Sequence, residues 1–238
     1  MWCCRCGVVL IAWMTASIPA AAHLEVSGYI GANFAHSSDL VLHRPGGADL
    51  FLRGLAWDGR SLDKLPPYWG VRGTYWLDNA PNWGVGIDYT HAKVYARLNG
   101  TANGSVGGVP IPANVGLNSI FSQLEFTDGL NLVTAHAFYR FAPYWRFTPY
   151  VGVGLGAAIP HVEVAQFGFP RTFEYQLTGV ASRAYAGISV ALYERFSSFA
   201  EYQFSYSQVR ASLVGGGSLH TNLFNHHLNV GIAYSFGP

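Results

Sequence analysis

Residues 220 to 236, HTNLFNHHLNVGIAYSF, constrain this chain more than any other stretch. From position 228 onward Leu228, Val230, Ile232, Tyr234 and Phe236 fall on one side of the backbone, and His227, Asn229, Gly231, Ala233 and Ser235 on the other. A repeat of two is the pleat of a β-strand, whose successive side chains point to opposite faces. The pattern recurs at 24–35, 68–77, 83–96, 131–141, 147–164, 179–193 and 198–213. Leu24, Val26, Ile30 and Phe34 oppose Glu25, Ser27, Tyr29 and Asn33; Val151, Val153, Leu155, Ala157 and Ile159 oppose Gly152, Gly154 and Gly156; Tyr202, Phe204 and Tyr206 oppose Glu201, Gln203, Ser205 and Ser207. These segments predict an all-β, antiparallel up-and-down barrel of eight strands.

Alternation alone does not say which face meets water, since a soluble eight-stranded barrel would turn its apolar faces inward around a ligand cavity. Composition weighs toward the membrane form. Charged residues make up 11% of the chain, against about 25% in soluble globular proteins, while aromatics reach 15% and glycines number 28. A solvated exterior is not easily covered by so few charges, whereas a barrel in lipid turns its apolar faces outward. Aromatics at strand ends, Trp69, Trp76, Trp83, Tyr144, Trp145 and Phe147, suit the girdles of such a barrel. A transmembrane barrel is expected.

Residues 1–22 have the parts of a secretory signal peptide: Arg5, an apolar run over 7–18, and Ala20-Ala21-Ala22, with cleavage expected before His23. That leaves one barrel domain over 23–238. The apolar run is too short for a spanning helix, which takes about 20 residues. Cys3, Cys4 and Cys6 all precede the run, so the barrel domain can build neither a disulfide nor a thiolate metal site. Removing Arg5 leaves 13 basic and 13 acidic side chains, a balance without general attraction for nucleic acid.

Short connections at 78–82, 142–146 and 194–197 alternate with longer ones at 36–66, 97–130, 165–178 and 214–219. In outer-membrane barrels short turns face the periplasm and long loops the exterior, which puts both chain ends on the periplasmic side. The first long connection reads as a hairpin above the lipid, and the second, rich in Gly and Asn, as a mobile loop. Asn229, Gly231, Tyr234 and Phe236 have the spacing of a polar residue, Gly and two aromatics that resembles the terminal signal of bacterial outer-membrane barrels. The resemblance implies a Gram-negative outer membrane and its barrel assembly machinery as a partner.

If the apolar faces meet lipid, Glu25, Arg72, Asp88, His136, Arg140, Arg183 and Glu201 point inward. An eight-stranded interior is just wide enough for side chains to fill, and buried charges must be paired. A plugging ion-pair network is expected, which argues against a diffusive pore. A site belongs instead at the outer rim, among His91, Lys93, Glu125, Asp128, His161, Glu163, Glu174 and His220. His161 and Glu163, two apart, share one strand face and offer a nitrogen and an oxygen ligand to a divalent metal. Without further ligands the pair also reads as solvated rim polarity, the commoner state of such residues. His226 and His227 face opposite ways and cannot chelate one ion together. No GxSxG, HExxH or P-loop pattern occurs.

The segments THAK (90–93), LEFTDG (124–129), PHVEV (160–164), EYQ (201–203) and LVGGG (213–217) are the most particular parts of a likeness running over nearly the whole barrel domain. Together they resemble the lipid A oxidase group of small OmpA-like eight-stranded outer-membrane barrels. The resemblance implies oxygen-dependent oxidation of the proximal glucosamine of lipid A, with peroxide as co-product, a divalent metal ion as cofactor, and outer-membrane lipid and lipopolysaccharide as partners of a monomeric barrel. It brings no established catalytic residues. From their places at outer strand ends, His91, Glu125 and Asp128 are the candidate catalytic groups and His161 and Glu163 the candidate metal ligands. A non-enzymatic structural or surface-binding barrel is the alternative, favoured by the lack of a recognisable redox-cofactor motif.

Overall fold

Period-two patterning forms strands throughout the computed structural model, which describes residues 23–59 and 67–237. The signal-peptide expectation for 1–22 lies outside the described residues. Among the described residues there are fourteen strands: β1 (His23–Ala35), β2 (Ser38–His43), β3 (Leu50–Leu55), β4 (Trp57–Gly59), β5 (Trp69–Leu77), β6 (Ala80–Ala96), β7 (Gly104–Val106), β8 (Val109–Pro110), β9 (Phe121–Arg140), β10 (Phe147–Gln166), β11 (Thr172–Tyr175), β12 (Gly179–Tyr193), β13 (Phe196–Ser212) and β14 (Ser218–Phe236). Eight of them close a ring in the order β1-β5-β6-β9-β10-β12-β13-β14, and β14 pairs back onto β1 from Leu24↔Phe236 to Ala35↔Asn225. Every pairing in the ring is antiparallel. The ring is the expected up-and-down barrel, and closure removes the open edges that hydrocarbon would leave unsatisfied. Among the described residues no helix is long and apolar enough to cross a membrane.

The outward face of β14 gauges the lipid belt. Phe224, Leu228, Val230, Ile232 and Phe236 are each at least 37% exposed. The row from 224 to 236 runs about 40 Å at roughly 3.3 Å per residue, and a tilt of about 45° brings its height to about 28 Å, close to a bilayer's hydrocarbon core. Beyond this belt the faces exchange character. Outward positions become polar (Arg210, Ser212, His220, Asn222), while inward ones become apolar: Val209, Ala211, Leu219 and Leu223 are buried with Leu40, Leu52, Leu124, Phe126 and Val162. The barrel therefore continues past the lipid as a wall with an ordinary greasy core.

Within the belt the interior is polar and filled. Arg72 donates to Glu201 through both terminal nitrogens, at 2.8 and 2.7 Å, and through Nε to Asp88 at 2.7 Å. Arg183 donates to Asp88 at 2.6 Å, and Tyr29 and Tyr150 donate to Asp88 and Glu201. The expected plug is present, and the apolar core sits above it. Arg140 stands apart, stacked over Trp76 and donating to the Pro81 carbonyl. A cavity of about 90 Å³ below the plug is lined by Glu25, Arg72, Trp76, Arg140 and Tyr150 among others.

Three details differ from the sequence reading. Trp76 is 6% exposed and points inward, not into a girdle, because it shares strand parity with Arg72 and Thr74. Strand β9 begins at Phe121, ten residues earlier than the alternation suggested, since the outward extension reverses the apolar face. The loop expected to be mobile is built into the sheet: β7 pairs with β3 and with β8, and β2 of the first hairpin pairs with β14.

Candidate functional site

Strands β9 and β10 pair regularly until Pro160↔Leu130, slip, and resume at Glu163↔Glu125. The slip leaves Asp128 on a bulge of β9 beside the unpaired His161 of β10, as bulges that re-aim side chains do. Gly129 makes the bulge feasible. Its φ is +134°, and a Cβ there would lie 2.6 Å from the His91 ring and 2.7 Å from Asn131 Oδ1. On its other side β10 is covered by β11, in the register His161↔Tyr175 and Glu163↔Phe173.

This arrangement gathers Asp128, His161 and Glu163, with one ligand atom from each lying within 4.8 Å of the others. His161 Nδ1 is 3.7 Å from Asp128 Oδ2 and, though buried, has no hydrogen-bond partner. The imidazole is held edge-on between Phe173 and Tyr175, at ring distances of 4.3 and 4.7 Å. Tyr175 also donates its hydroxyl to the Asp128 carbonyl at 2.9 Å, which fixes the bulge. Glu163 is buried and paired with Arg171, whose guanidinium lies over the Phe173 ring.

The other two expected residues lie beside this trio rather than in it. His91 donates from Nδ1 to Asn131 Oδ1 at 2.7 Å, an acceptor shared with Tyr89, and its ring lies tilted 5.6 Å from that of Trp69. Glu125 faces Glu163 across the strand pair but accepts from the Gln123 amide. Thus Asp128, expected to be catalytic, stands with the expected metal ligands, and His91 forms a separate neighbouring pair. Sequence reasoning missed Arg171, Phe173, Tyr175 and Asn131. The alternation of Arg171, Phe173 and Tyr175 was a usable signal, but only a known hairpin register sets it against Glu163 and His161.

The trio lies on the outer wall directly above Leu155, Ala157 and Ile159 of the lipid-facing row. The height of the β14 row makes this the outer end of the lipid-facing belt. One imidazole nitrogen and two carboxylates suit a divalent metal of borderline to hard character. The donor set and the unpartnered nitrogen therefore fit the metal ion that the family resemblance implies.

No curated protein matches the chain. Among solved structures, OprG from Pseudomonas aeruginosa is 13% identical, with 91% of this chain and 97% of that one covered at a TM-score of 0.54. Neisserial surface protein A is 16% identical, with coverage of 91% and 99% and a TM-score of 0.48. AlkL, determined in lipid bilayers, is 13% identical, with coverage of 97% and 98% and a TM-score of 0.48. A family model described as Outer membrane protein beta-barrel domain matches residues 8–236. That match takes in every strand of the ring, so this chain belongs to the outer membrane protein β-barrel domain family and resides in the bacterial outer membrane.

Proposed function

We propose that this barrel is a lipid A modifying oxidase that acts on the proximal glucosamine from its outer wall. The observation that carries the reading is the trio of Asp128, His161 and Glu163 at the top of the lipid-facing surface, where a lipid headgroup can reach it without entering the filled interior. Asp128, His161 and Glu163 would hold the divalent ion, which when bound supplies the oxygen chemistry that side chains alone do not.

The rest of the work falls to the chain. The apolar rows below the trio receive acyl chains, and Phe173 and Tyr175 keep the His161 ring turned toward Asp128. Arg171 balances the buried Glu163 carboxylate and, being half exposed, is a cation within reach of a lipid phosphate. His91, oriented by Asn131, is the nearby group suited to proton transfer at a sugar hydroxyl. Oxidation of the aldose to an acid takes up one water and one dioxygen and releases one hydrogen peroxide, so the lipid gains one oxygen atom.

The test is mass spectrometry of lipid A from a host lacking such activity, grown in air with and without the protein. The expected result is a one-oxygen gain that disappears without oxygen and in the Asp128→Ala/His161→Ala/Glu163→Ala variant. An unchanged lipid A, with the protein folded in the outer membrane, would sink the enzyme reading. The second reading, a structural or surface-binding barrel, draws on the Arg171–Glu163 ion pair, which satisfies the buried carboxylate without a metal.

A further inference from the structure

The seam where β1 meets β14 carries a second cluster of ligating side chains, away from β9 and β10 around the ring. His36 follows the last residue of β1, and its backbone N–H donates to the Phe224 carbonyl at 2.9 Å. This bond places its ring against the outward row of β14, where His226 stands. The two Nε2 atoms are 2.5 Å apart and the ring centroids 4.6 Å. The Nδ1 of His226 is 2.5 Å from the Tyr202 hydroxyl of β13, and its ring lies 5.3 Å from that of Phe204. His227, adjacent in sequence, points into the barrel and bonds Ser205. The partner of His226 thus comes from the opposite end of the chain.

We propose that His36 and His226 form a binding site for a divalent transition-metal ion of the copper, nickel or zinc class, with Tyr202 orienting the His226 ring. Two imidazole nitrogens aimed at one point can be joined either by a single proton or by a metal. The Tyr202 contact provides what a ligating histidine ordinarily has, a partner for the other ring nitrogen: with Nδ1–H donating to the phenol oxygen, Nε2 is the unprotonated nitrogen that coordinates. Zinc–imidazole bonds of about 2.0–2.1 Å require the two nitrogens to part slightly. That movement is available because His36 is exposed and His226 only partly covered. Both donors are imidazoles, which suit copper, nickel and zinc better than magnesium or calcium. The pair stands at the outer end of the lipid-facing row, between Phe224 and Leu228, so with two ligands from the chain the remaining positions fall to water or lipid phosphate at the headgroup level, and the bound ion bridges the start of the first loop to the closing strand.

The refolded barrel carrying Asp128→Ala, His161→Ala and Glu163→Ala, so that the trio does not contribute, is titrated in detergent micelles with Cu²⁺, Ni²⁺ and Zn²⁺ by calorimetry. Copper binding is also followed by electron paramagnetic resonance. One ion per chain is expected, with Cu²⁺ the tightest and a signal from two equatorial nitrogens. His36→Ala and His226→Ala should each weaken binding by at least about tenfold, and Tyr202→Phe by roughly 10- to 100-fold. His220→Ala, on the same strand and exposed, should leave it unchanged. A full heat-modifiable gel shift in every variant confirms the fold. Absence of binding, or binding that survives both His36→Ala and His226→Ala, would overturn the proposal.

Discussion

Replacing Glu201 with Gln removes one charge from a closed set of four. Arg72 and Arg183 supply two positive charges and Asp88 and Glu201 two negative ones, and none of the four residues is more than 5% exposed. Gln keeps the shape and one acceptor oxygen, while its NH2 replaces an oxygen that accepts from two donors, so the change removes the charge together with one acceptor. With charge centres about 4 Å apart and an effective dielectric of about 20, the lost attraction is about 4 kcal/mol. That agrees with the roughly 3–5 kcal/mol lost when one partner of a buried pair is removed. The expected loss is therefore about 3–4 kcal/mol, read from guanidinium unfolding in lipid vesicles by tryptophan fluorescence. Removing Arg72 and Glu201 together, as Arg72→Met with Glu201→Leu, leaves the neutral Arg183–Asp88 pair at 2.6 Å. The double variant should lose less than the two single variants added. A loss under about 1 kcal/mol for Glu201→Gln, or strict additivity in the double variant, would refute the reasoning that the interior is a balanced ionic plug.

Other expectations follow from the wall and the bulge. Val230→Arg puts a charge at the middle of the outward row of β14 and should cost about 2–4 kcal/mol, whereas a loss near zero would mean that this row does not face lipid. Gly129→Ala should cost about 1–3 kcal/mol through its left-handed backbone and also displace His91 and Asn131; native-like stability together with unchanged ligand binding would contradict the assigned bulge. Arg171→Ala frees Glu163 from its counter-ion and should tighten divalent-metal binding about tenfold, equivalent to about 1.4 kcal/mol. Weaker binding in that variant would instead mark Arg171 as a support that positions the carboxylate.

The eight ring strands were legible because lipid outside and paired charges inside give each strand two unlike faces. Residues such as Val151, Val153 and Leu155 against glycines, or Tyr202 and Phe204 against Glu201 and Gln203, announce the pleat. That code fails where the wall leaves the membrane. There Leu219 and Leu223 turn inward beneath an exposed His220, so the strands keep their period while exchanging their faces. The loop strands were also hidden, because β2 pairs with β14 and β3 with β7 across long sequence separations. At the site, His161 and Glu163 were visible from their spacing and Asp128 from its place at a strand end. Their assembly depends on a register slip and on Gly129, which local pattern does not encode. Arg171, Phe173 and Tyr175 alternate as a strand does, but within residues 165–178, which read as a loop, nothing local sets them against Glu163 and His161.

The proposed oxidase reading has the outward trio acting on the lipid beside the barrel. The most direct measurement places the refolded protein, supplied with a divalent metal, in vesicles containing lipid A with a free reducing-end glucosamine under air, and follows lipid mass and peroxide together. The expected result is a one-oxygen gain with an equal amount of peroxide, both abolished by anaerobiosis, by chelation and by His161→Ala. An unchanged lipid mass in the presence of folded, metal-loaded protein would contradict it.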